Sequence, residues 1–195
     1  MANGNAPRGL APVRYLSGAP YNGAVNKYYV AAGDSTAIYP GGLVKFAGSA
    51  DSTGIASVTG NVATGDAVVG VMISPAIDNV GPTDLTYRPG STAGYILVCD
   101  DPDVLFEIQE DSVGGALAAT AVGNVADLTG FTAGSTFTGS SSMQLDSSTA
   151  TATGDGTQDV LIVGAVQRPD NEIGANAKWH VRLNNHAFVD GNTGA

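Results

Sequence analysis

Residues 95–108 read YILVCDDPDVLFEI. Two apolar runs of strand length flank a short DDPD, and Asp and Pro are residues that favour turns through local backbone bonding and a fixed φ. The segment therefore reads as strand, turn, strand. The fold class depends on whether the rest of the chain repeats that unit.

It does repeat it. Further strands are expected near Tyr28–Ala32 (YYVAA), Leu43–Phe46 (LVKF), Ile55–Val58, Val68–Ile73, Met143–Leu145, Val160–Val166 (VLIVGAV) and Trp179–Leu183 (WHVRL). Between the runs lie PGG, GSADSTG, TGNVATGD, DNVGPTD, RPGSTAG and TATGDGTQD, where Gly supplies positive φ and Asp or Asn bonds to nearby backbone. Short strands punctuated this way are the pattern of an all-β sandwich or barrel. No dozen residues free of Gly and Pro carry a 3.6-residue apolar repeat, and the best helix candidate, Ala116–Ala121, is short. The expected fold is all-β, with a β-sandwich or jelly-roll-like body; the alternatives are a β-tulip or a small barrel.

Two stretches break the rhythm. Residues 1–27 hold prolines, glycines and asparagines with Arg8, Arg14 and Lys27 and no acid. They are expected as an extended N-terminal arm, with residues 28–195 forming a single β domain. At about 3.3 Å per residue such an arm reaches roughly 90 Å, more than is needed to cross its own domain. The second stretch, residues 127–159, is rich in Gly, Ser and Thr and poor in large aliphatic side chains, and is expected as a long loop or weakly packed excursion.

At 195 residues the chain can build one good core. Hydrophobic residues make up 43%, whereas charged residues make up only 13%, about half the usual share. Pro7, Pro12 and Pro20 interrupt every candidate for a signal-peptide core, and the longest apolar runs are of strand length, so the protein is expected to be soluble, made in the cytosol and independent of membranes. The one cysteine, Cys99, allows no internal disulfide and is expected to be a small buried group.

The net charge is −10, yet residues 1–48 carry Arg8, Arg14, Lys27 and Lys45 against Asp34 alone. An acidic body argues against nucleic acid, because phosphate contact needs clustered Lys and Arg. The basic beginning suits docking on an acidic neighbour, including another copy of the chain.

Candidate chemistry is sparse. Asp100, Asp101, Asp103, Glu107, Glu110 and Asp111 lie within twelve residues, but their spacing is not that of a calcium-binding helical hand, and a plain turn at Pro102 explains them better. His180 and His186 share a strand face in an extended chain but would lie about 20 Å apart, and no Cys or third His completes a zinc set. No nucleophile elbow or phosphate loop is present, so neither a catalytic residue nor a cofactor is expected. Five of the seven tyrosines fall in the first 39 residues. Tyr and Arg dominate interface hot spots, which makes Arg8, Arg14, Tyr15 and Tyr21 the candidate contact residues.

NAPRGLAPVRYLSGAPYNGAVNKYYVAAGDSTAIYPGGLVKF, PGSTAGYILVCDDPDVLFEIQED, VGNVADL and VGAVQRPDNEIGANAKWHVRLNNHAF together resemble the head decoration, or cement, proteins of tailed bacteriophages. The resemblance covers most of the chain through recurrent blocks rather than a catalytic signature. It implies a non-enzymatic virion protein on the capsid exterior, synthesised in the host cytoplasm, commonly a homotrimer that bridges major capsid proteins. It also implies a β fold, often with an N-terminal arm. Two rival expectations are a carbohydrate-binding β-sandwich displayed on the virion, with Trp179 at the sugar, and a metal-dependent hydrolase using the acidic turn.

Overall fold

The structure is a computed structural model that describes residues 3–76, 86–154 and 156–189. The expected turn DNVGPTD, at 78–84, lies outside the described residues, as does Asp155 of TATGDGTQD. The chain is all-β. Its strands are β1 (Ala11–Tyr15), β2 (Asn26–Val30), β3 (Leu43–Ala50), β4 (Ala56–Thr59), β5 (Gly70–Pro75), β6 (Gly94–Cys99), β7 (Val104–Gln109), β8 (Val125–Ala126), β9 (Leu128–Thr129), β10 (Gln144–Leu145), β11 (Val160–Ala165) and β12 (Lys178–Leu183). Ala119–Ala121, within the expected helix, forms a single 3-10 turn. Among the described residues no helix is long and apolar enough to cross a membrane.

Strands β2, β4, β3, β5 and β6 close into a barrel in that order, and β1, β7, β12, β11 and β8 form a five-stranded antiparallel sheet. A barrel packed on a sheet thus takes the place of the expected pair of sandwiched sheets. The opening segment YILVC-DDPD-VLFEI shows how. Its two strands do not form a hairpin: YILVC is β6 of the barrel, and VLFEI begins β7 inside the sheet. Asp101 holds the crossover turn, its Oδ1 accepting from the Asp103 N–H at 2.8 Å.

Alternation along the strands divides the core in two. Val44, Met72 and Val98 point into the barrel, while their neighbours Leu43, Val71 and Cys99 point outward to meet Phe106, Ile108, Trp179 and Val181 of the sheet. β7 is buried at all six positions for two reasons: Val104, Phe106 and Ile108 face this core, while on the outer face Arg14 and Arg182 flank Leu105, Arg8 and Arg168 cover Glu107, and the backbone of Gly4 and Ala6 bonds Gln109.

The N-terminal segment departs from the expected free arm. Leu10 is 1% exposed within the sheet-side core, and residues 11–15 form β1 along the edge of β7. Proline is tolerated at a sheet edge, where a missing N–H breaks no interior ladder, so Pro12 does not prevent the strand. Gly9 and Gly41, at φ of 71° and 88°, bring the segment onto the barrel, with Leu10 N–H donating to Gly41 O at 2.9 Å. The 127–159 excursion is likewise anchored: Leu128, Met143 and Leu145 are buried in the same core, although its strands β9 and β10 have only two residues each.

Candidate functional site

The sequence KWHVRL of β12 alternates in chemistry. Trp179, Val181 and Leu183 enter the core, which puts Lys178, His180 and Arg182 on the opposite, outer face of the sheet. Register places Arg182 beside Leu105 of β7, and Leu105 beside Arg14 of β1. One row further, His180 lies beside Glu107, and Glu107 beside Ala11. Arg8, Arg14, Arg168, Lys178 and Arg182 therefore gather around one face, five of the chain's eight Lys and Arg residues.

Glu107 organises this face. A buried carboxylate needs a close counter-charge to offset its lost hydration. Arg168 supplies it with Nη1 donating to Oε2 at 2.8 Å and Nη2 to Oε1 at 3.0 Å, while Arg8 Nη2 stands 3.5 Å from Oε1. Arg8 has five N–H donors and only its Nη2 approaches Glu107, so it keeps donor capacity for another acceptor. Asp170 accepts from Arg168 Nε at 3.2 Å and lies 3.8 Å from Lys178 Nζ; Arg182 Nη2 donates to Asp103 at 3.3 Å. An open cleft of about 430 Å³ is lined by Ala6, Arg8, Glu107, Gln109, Arg168 and Lys178 among others.

His180 adds no charge at neutral pH. Burial lowers its pKa below the ordinary histidine value, and the nearby Arg14 and Arg168 lower it further against the opposing pull of Glu107. With five cations facing Glu107, Asp103 and Asp170, the face carries a surplus of two positive charges. Among the described residues outside the face, three basic and eleven acidic side chains leave a net charge of −8.

The sheet's edges are closed to strand addition at several backbone groups. Along β1, Tyr15 N–H donates to Ala19 O at 2.8 Å and Tyr21 N–H to Val13 O at 3.1 Å. At β8, Val125 and Thr151 exchange both backbone bonds, at 3.0 and 2.9 Å. Capped edges and a barrel without edges are standard protections against edge pairing. Docking here therefore falls to side chains.

Of the four residues expected at contacts, Arg8 and Arg14 meet on this face and the tyrosines do not. Tyr15 pairs in register with Val104 on the core side, and its ring packs 6.2 Å from that of Tyr21. Their hydroxyls bond within the same loop, Tyr15 to Asn22 Oδ1 at 3.0 Å and Tyr21 to Ala24 O at 2.7 Å. Arg168, Lys178 and Arg182 escaped the sequence reasoning, although the every-other-residue basic pattern of KWHVRL signals two of them.

The other candidates serve the fold. Asp100 accepts from Asn26 and Tyr28, Asp111 from Val113 and Ser147, and Glu110 from Leu117 and Trp179, so the acidic group is dispersed into separate bonds. Among the described residues no group of three or more His, Cys, Asp and Glu side chains is placed to hold a metal. His180 lies on the outer face, whereas His186 is buried where the chain pairs with Val68 of the barrel region. Cys99 is a buried free thiol whose pKa burial pushes up to about 11, which keeps it protonated. Trp179 is fully buried and donates its indole N–H to Glu110 at 3.2 Å, leaving no ring face for a sugar. No protein-family model matches this chain, and neither the curated proteins nor the solved structures contain a match.

Proposed function

We propose that the protein is a structural component of a tailed-bacteriophage virion, a head decoration protein that binds the capsid exterior as a homotrimer and stabilises the lattice. Its partners are the major capsid protein and other copies of itself. The role is non-enzymatic. The observation that carries this reading is the basic sheet face on an otherwise acidic all-β body, to which the N-terminal segment contributes Arg8 and Arg14. Oppositely charged patches steer encounter and fix register between protein surfaces. The sequence blocks that resemble decoration proteins supply the identity of the partner.

The test is co-sedimentation of the purified protein with expanded heads, followed by electron microscopy of the pelleted particles. Wild-type protein is expected on the outer surface, and the Arg8→Glu/Arg14→Glu variant, still folded by circular dichroism, is expected to be lost from it. Wild-type protein that leaves heads bare at low salt would overturn the proposal.

A further inference from the structure

We infer that the basic sheet face is occupied by the acidic surface of a second copy of this chain, in a head-to-tail contact. This rests on reading the face as a docking surface and assigns it to the contact between copies within the proposed homotrimer, so that loss of Arg8→Glu/Arg14→Glu from heads follows from loss of the assembly that binds them.

Three observations lead there. The cations remain available: Lys178 is 26% exposed, Arg182 30%, Arg168 40% and Arg8 64%. Strand addition is resisted at the capped backbone groups of β1 and β8, which favours contact between copies through side chains. The complement is also on the same molecule, because the described residues outside the face sum to −8. Part of that complement is Asp111 and Asp146, joined through Ser147, whose N–H and hydroxyl both reach Asp111 Oδ1 at 3.1 Å; neither aspartate has an ion pair among the described residues.

The charge pattern also fixes the type of contact. In a two-fold pair each patch can meet its own image, and like charges placed opposite one another repel. A basic face is therefore better satisfied by a different, acidic patch, which makes the interface heterologous; such contacts close into rings when the rotation allows. Within the face the cleft beside Arg8 and Lys178 is the place for an incoming carboxylate, since Glu107 is already held by Arg168. A long polyanion is disfavoured, because its phosphates would meet the negative remainder of the chain.

The experiment measures mass by sedimentation velocity as salt rises, alongside head binding by the same preparations. At about 0.1 M salt the mass is expected to be a multiple of the 19.5 kDa chain, and at about 1 M, where the Debye length shrinks to roughly 3 Å, that of a single chain. Arg14→Glu/Arg182→Glu is expected to stay a single chain at both. Arg8→Gln, which removes the charge of an exposed residue without setting a second carboxylate beside the buried Glu107, is expected to dissociate at lower salt than wild type. A single-chain mass at low salt with intact head binding would overturn the inference and leave the decoration proposal standing. A single-chain mass with bare heads would overturn both, and an oligomer indifferent to salt and to these substitutions would overturn the inference alone.

Discussion

Arg168 grips Glu107 through two parallel hydrogen bonds, at 2.8 and 3.0 Å, although the arginine is 40% exposed and the glutamate only 6%. The pair is unequal, and its deletion should be unequal too. Removing Arg168 strands a buried carboxylate, with only Arg8 nearby at 3.5 Å. Removing the charge of Glu107 leaves an arginine that water can reach. Arg168→Ala is expected to cost about 2 kcal/mol, less than a fully buried pair because water can partly replace the guanidinium. Glu107→Gln is expected to cost about 1 kcal/mol or less, because the amide keeps one acceptor. Urea unfolding of both variants measures the difference, and equal losses would contradict this account.

Gly9 and Gly41 lock the N-terminal segment to the barrel by mutual backbone approach. A Cβ on Gly9 would lie 2.4 Å from Gly41 O, and one on Gly41 would lie 2.4 Å from Arg8 O. Neither obstacle is a side-chain end that could swing away, and both residues have positive φ, which adds about 1 kcal/mol or more for any L side chain. Gly9→Ala is expected to loosen residues 3–15 before the rest of the chain unfolds. Hydrogen exchange should show faster exchange at β1, with Leu10 losing its protection, while β11 and β12 are unchanged.

The strand runs are visible in the sequence because each buries apolar side chains over a short extended length, and a run such as VLFEI has no competing helical period. β1 is hidden because its signal is an edge strand's signal: APVRY contains a proline and an arginine, and its pairing partner β7 lies about ninety residues further on. Barrel closure is hidden for a related reason. β2 meets β4 in parallel at Tyr29 and Ser57, a nonlocal pairing that no turn between them announces. The docking face is half visible, since strand alternation places Lys178, His180 and Arg182 together but says nothing of the loop that returns Arg168 to Glu107.

Asp159 predicts how stability follows pH. It is buried between the barrel and the sheet, where its oxygens accept from Gly65 N–H at 3.1 Å and Leu128 N–H at 2.8 Å. Burial lifts its pKa from 3.8 to about 6, the two N–H bonds resist that rise, and Asp127 and Asp66 add to it. A raised acid binds its proton more tightly when folded. Its contribution therefore favours the native state at low pH and is lost as pH climbs from about 4 through about 6, with a limiting slope of about 1.4 kcal/mol per pH unit. Asp66 and Asp170, whose pKa values are lowered, act in the opposite sense below their ordinary range. The clean observable is a difference: Asp159→Asn is expected to flatten the stability profile between pH 4 and 6 relative to wild type, and an unchanged slope would exclude the assignment.

Trp179 and Glu110 give the last prediction. The indole fills the sheet-side core, and its N–H is one of three donors, with Leu117 N–H and the Ser112 hydroxyl, to a carboxylate that has no exposure. Burial raises the Glu110 pKa, and these donors hold it down. Trp179→Phe keeps most of the apolar volume but withdraws one donor, so two losses add: a small void and a less well solvated carboxylate. The expected cost is about 3 kcal/mol at neutral pH. The two parts separate with pH. On acidification Glu110, whose pKa burial raises above the ordinary 4.5, takes up its proton, the electrostatic part fades and the void remains, so the gap between variant and wild type should narrow toward acid pH. Chemical unfolding followed by circular dichroism at neutral pH and at pH 4.5, where a raised acid is mostly protonated, measures this, and a gap of the same size at both would assign the whole loss to packing.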